Sequence, residues 1–241
     1  MIKANTISQT SLVAAFMYSI LATAGLFYVN LGGAFLSAFV DGLQIGRDEA
    51  GFIVSANKYG AAFGALIATF LVKKIPWRKA AALLLVLMIL VDIVSSQITD
   101  PQSLIYVRFL HGTIGGISVG IGLSVIARTV DPDKIFGMLL AVQYSFGSLG
   151  IWTVPRLVDA FGHMAVFGVL SLFSIMTLLI LPFIPDVKTK KTNGTGFKFN
   201  ISYLLVFALL ALFLFQASNM GVADYAFELG KDIGLVNNEV S

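Results

Sequence analysis

Apolar residues dominate this chain in blocks of helix length, and charged residues fall almost entirely between the blocks. A helix needs about 20 apolar residues to cross a bilayer core, and on that scale the chain divides into seven spans. The first covers Ser11 to Asp41, longer than a bilayer requires, with a bend expected at Gly32-Gly33. The next five are Ala50–Val72, Ala80–Ile98, Leu104–Ala127, Ile135–Val158 and Met164–Ile184. A polar linker, Asp186–Asn200, precedes a seventh span, Ile201–Ala223, and a polar tail, Asp224–Ser241. Lys3 before an apolar stretch resembles a signal peptide, but no small-residue cleavage pattern closes a short core, so the segment reads as a retained span.

Composition agrees. Of 241 residues, 57% are hydrophobic and only 12% charged, against about 25% charged in ordinary soluble domains. These values predict an all-α polytopic membrane protein that spans a lipid bilayer. They exclude a disordered chain and an ordinary water-soluble enzyme. With no Cys and two His, neither thiolate chemistry nor a His-rich metal site is expected, and no cofactor is implied. The net charge of +3 does not point to nucleic acid once the charges are placed. With the N-terminus inside, eleven Lys and Arg fall on the inner side and three on the outer, where nine of the acids lie. Short-loop Lys and Arg set orientation, so a cytoplasmic N-terminus is expected, in a bacterial inner membrane.

Six spans, a basic linker and one more span suggest a molecule built from two parallel six-span repeats. Residues 43–51 and 233–241 can be laid over one another, with apolar positions matching at 43/233, 45/235 and 50/240. On that register the expected organisation is a six-span bundle at 1–185, a cytoplasmic linker at 186–200, and at 201–241 the opening of a second bundle. The expectation follows that a C-terminal half completes the molecule and that the chain alone is inactive.

Three charges lie at membrane depth: Lys58, Asp92 and Arg108. Such a charge costs about 2.5–3.5 kcal/mol on insertion scales and must face a partner or a cavity. Asp92 and Arg108 sit eight residues either side of Asp100, in a hairpin turn, so their depths match. An ion pair between spans three and four is one expectation; Arg108 facing a central cavity is the other. His111 is one turn from Arg108 and could titrate. Lys58 has no acidic partner at its depth in the linear reading, which makes it a candidate for binding an anionic group. Tyr28 and Asn30 precede the expected bend, and Gln143 and Tyr144 are polar within the fifth span. Each can contact solute or simply bond between helices. Gly112, Gly115, Gly116 and Gly120 read as a helix-packing surface, not a phosphate loop, because no strand precedes them.

These residues resemble the N-terminal half of a major facilitator superfamily transporter along the whole chain. The fourth-span pattern is carried by Arg108-Phe109-Leu110-His111-Gly112-Thr113-Ile114-Gly115-Gly116, and the second-span pattern by residues 50–65 with their small residues. Two signatures depart. Between spans two and three only Arg78-Lys79 of the usual loop motif remains, with Phe70, Lys74 and Trp77 at its other positions. The fifth span has Gly147, Gly150 and Pro155 but not the antiporter Gly-Pro arrangement. The resemblance implies secondary transport of a small organic solute by alternating access, coupled to a proton or sodium gradient or working as a uniporter, and no enzymatic reaction. The alternative is a seven-helix sensory or receptor-type protein, for which seven spans are complete.

Overall fold

The structure, a computed structural model, describes residues 7–72, 75–187 and 202–240, the side chains of 237 and 238 excepted. Most of the basic linker expected at 186–200 therefore lies outside the described residues. Every regular element among them is helical. In chain order they are α1 (Leu12–Asn30), α2 (Gly32–Leu43), α3 (Arg47–Leu71), α4 (Trp77–Ser96), α5 (Pro101–Ile126), α6 (Pro132–Phe161), α7 (Met164–Ile180), α8 (Tyr203–Asp232) and the short α9 (Asn237–Val240). Local chemistry sets several starts. Ser11 and Ser202 accept from the backbone N–H of Ala14 and Leu205, while Asp100 and Asp131 cap helices whose first residue is proline, an arrangement suited to the unpaired first turn.

Five helices are long and apolar enough to cross a membrane: α1, α5, α6, α7 with the turn that follows it, and α8. The chain is thus an all-α polytopic membrane protein. Two more helices, α3 and α4, are 25 and 20 residues long and pack in the same bundle. The first expected span is broken in two at Leu31, whose N–H bonds back to the Tyr28 carbonyl before α2 begins at Gly32.

The closest helix pair is α3 with α5. Gly60 and Gly64 on α3 face Phe109 and Thr113, and Gly112 and Gly116 on α5 face Asn57 and Ala61. At each of the four glycines an added Cβ would run into the opposing backbone carbonyl. Lipid offers no hydrophobic drive to join helices, so close backbone approach across small residues is what holds them. Gly115 meets Gly25 of α1 in the same way, and Gly120 faces Ala68. Between α1, α2 and α7 the core is aromatic: Phe27 stacks on Phe173 at 4.3 Å between ring centres, and Phe35 lies edge-on to Phe167 at 5.8 Å.

One helix is different. Residues 203–219 of α8 are exposed on every face, while Asp224, Phe227, Glu228 and Gly230 are buried, mainly against α2. The helix runs nine residues past Ala223, where the hydropathy pattern ended the span. The segment expected to be a polar tail is therefore helical as far as Asp232.

Two measurements probe this packing. Gly112→Val adds a branched side chain where the Asn57 carbonyl already sits, and overpacking costs about 1–3 kcal/mol or more; a clear fall in the detergent-solubilised protein's Tm is expected. His163, between α6 and α7, is wedged against Gly42, and burial holds its pKa below the ordinary value despite a hydrogen bond to the Ser96 backbone. The unfolded chain binds that proton more readily, so stability is full above about pH 6.5 and falls as acid carries the group toward its folded pKa. His163→Gln is expected to show a smaller loss of Tm than wild type between about pH 7 and pH 5.

Candidate functional site

Two polar centres lie inside the bundle. The first is built on Arg108 of α5, whose side chain is fully buried. Its Nη1 donates to Asp92 Oδ1 of α4 at 2.8 Å, and its Nη2 lies 3.0 Å from His111 Nδ1. Asn57 of α3 donates through Nδ2 to the Arg108 carbonyl at 3.2 Å and reaches the same His111 nitrogen at 2.9 Å. With two donors aimed at Nδ1, that nitrogen accepts and the neutral ring carries its proton on Nε2. Nε2 lies 3.3 Å from Asp92 Oδ1. The guanidinium is closed in by rings, 4.7 Å from the Tyr28 centre and 5.4 Å from that of Phe167. Among the described residues Asp92 Oδ2, Arg108 Nε and Tyr28 Oη have no hydrogen-bond partner.

The second centre lies where the first span breaks. Lys58 of α3 is ion-paired with Asp224 of α8, and both side chains are largely buried. A Cβ on Gly32 would overlap the Asp224 carboxylate, and one on Gly33 would meet the Ala223 carbonyl. The two glycines at the break thus leave the space that the carboxylate fills. Beside it, Asn30 donates to the Gln143 carbonyl at 3.0 Å, and Gln143 Nε2 donates to Asn30 Oδ1 at 3.3 Å.

A third charged group joins the ends of α2, α3 and α8. Arg47 donates to Glu228 at 2.9 Å and takes both oxygens of Asp232 at 3.0 and 2.8 Å. Lys231 contacts Asp41 at 2.8 Å, Glu228 at 2.7 Å and Ser37 at 3.1 Å. Charge sorting places the charged residues here, Asp41, Arg47, Glu228, Lys231 and Asp232, on the outer side, and the structure gathers them at one end of the bundle.

The candidate residues therefore separate. Tyr28, Asp92, Arg108 and His111 form one cluster, while Lys58, Asn30 and Gln143 lie around the break in the first span. Tyr144 is exposed on the bundle surface. Lys58 is corrected from an unpartnered cation to a paired one. Its partner was placed in the tail because hydropathy falls sharply at Asp224. The available signal was the spacing of Asp224, Glu228 and Asp232, which continues one helical face. Asn57 was also overlooked, since an Asn beside a Lys attracts no notice in a linear reading.

No protein-family model matches the chain. Over 196 residues it is 29% identical to solute carrier family 2, facilitated glucose transporter member 9, of Pongo abelii, covering 73% of this chain and 34% of that protein. The Homo sapiens protein of the same name is 29% identical over 196 residues, with 36% of its length covered. The chain is similar to facilitated glucose transporters. It spans about a third of the length of these relatives.

A structural staple and a functional group respond differently to paired replacement. Breaking a buried pair leaves one charge uncompensated and costs about 3–5 kcal/mol, whereas apolar replacement of both partners is often neutral. Arg108→Met and Asp92→Leu alone are each expected to lower Tm strongly. The double variant should recover much of that loss, which thermal unfolding in detergent will measure.

Proposed function

We propose that this chain is part of a membrane transporter that moves a small organic solute by alternating access. The similarity to two proteins named as facilitated glucose transporters carries the reading. The polar residues around the break in α1–α2 support it, because a bundle in lipid gathers paired charges and amides in its interior only at a cost. In this reading the solute path passes Lys58, Asn30 and Gln143, and the Arg108 cluster holds the surrounding helices in place. A second bundle completes the other side of the path, and the bare face of α8 belongs to that side.

Facilitated movement down the solute's own gradient is favoured over coupling to a proton or sodium ion. The relatives' name describes facilitated transport, and each charge identified within the bundle has an opposite partner at hand. A cytoplasmic N-terminus is the orientation that the charge distribution favours. The receptor-type alternative draws no support from these relatives.

The test is uptake by cells that express the gene from its own locus, using labelled hexoses and the corresponding sugar acids. Saturable uptake of at least one is expected, unchanged when proton and sodium gradients are collapsed. It should fall at least about tenfold in Lys58→Ala, the scale of one lost charged contact. Absence of uptake across the panel, or full uptake by Lys58→Ala, would overturn the reading.

A further inference from the structure

The Asp224 carboxylate is largely buried. It occupies a space bounded by the backbone of Gly32 and by the Lys58 ammonium, at the break between α1 and α2. The two partners are held very differently. Lys58 belongs to α3, locked against α5 by four glycine-to-carbonyl contacts. Asp224 belongs to α8, which touches the bundle only through its last third. The cation is on a helix packed closely along its length, and the carboxylate on one that is buried only near its C-terminal end.

We propose that Lys58 and the Gly32 backbone form a binding site for the carboxylate of a small organic acid, and that Asp224 occupies it as a tethered stand-in. This deepens the transport reading and rests on it for its role: an acidic solute replaces Asp224 on Lys58 and releases that one tie between α8 and α3, while Arg47 keeps its hold on Glu228 and Asp232. The exchange keeps Lys58 paired throughout, so the bundle never holds a bare ammonium, which lipid would penalise heavily. A neutral solute of the same shape offers Lys58 nothing in return for Asp224. The site therefore selects for anions without carrying net charge at rest. The Arg108 guanidinium provides no such site, because both its partner Asp92 and its aromatic enclosure come from helices packed within the bundle.

Chemical rescue tests this without measuring transport. Asp224→Ala removes the tethered carboxylate and leaves Lys58 in place. Sodium acetate, compared with sodium chloride at equal ionic strength, is expected to raise the Tm of the purified variant by several degrees, and saturably. Lys58→Ala/Asp224→Ala should show no difference between the salts. Wild type should respond far less, because a tethered group competes at an effective concentration in the millimolar range or above. If Asp224→Ala does not fold, Asp224→Ser keeps a small side chain and the same vacated space. Equal responses of the single and double variants, or no acetate response in a folded single variant, would overturn the proposal. Rescue by acetate in a protein that takes up no solute would retain the carboxylate site and refute the transport reading. Uptake of solutes without rescue would do the reverse.

Discussion

The Arg108 guanidinium lies fully buried at the centre of the bundle, and the arrangement of five other helices around α5 follows from that. Arg108 can be buried only if an anion, hydrogen-bond acceptors and polarisable rings surround it, and no single helix supplies all of these. Asp92 comes from α4, the accepting His111 nitrogen from α5 itself, Tyr28 from α1, Phe35 from α2 and Phe167 from α7, while Asn57 of α3 holds the Arg108 carbonyl and the His111 ring. Each helix is thereby fixed in rotation as well as position, because a turn of either α4 or α5 would separate Asp92 from Arg108. The glycine contacts between α3 and α5 act with this constraint, since Asn57 reaches Arg108 and His111 only when the two backbones touch.

Against that fixed core, α8 is attached by charge. Lys58, Arg47 and Lys231 hold Asp224, Glu228, Asp232 and Asp41, while its first two-thirds makes little contact. Apolar packing in lipid is lost and regained at small net cost, but a paired charge inside a bundle is not released unless another takes its place.

Much of this was legible along the chain. The helical membrane-spanning character, the break near Gly32 and the matched depths of Asp92 and Arg108 follow from spacing alone, because helices have a fixed rise and a hairpin places residues equidistant from its turn at similar depth. The partner of Lys58 was not legible. Lys58 and Asp224 are 166 residues apart, and hydropathy assigns an acidic residue to water unless a cation is known to await it. Nor was the division of the polar candidates into two centres, since Asn30 and Tyr28 are two residues apart yet face different neighbours.

Sequence by itself determined the class of protein, the helices and which residues had to find partners, because lipid punishes every unpaired charge and every unpaired backbone group regardless of fold. Tertiary structure alone decided which partner each one found. Asp92 and Asp224 are chemically equivalent, and only the packing of α5 on α4 and of α8 on α2 and α3 gave the first to Arg108 and the second to Lys58.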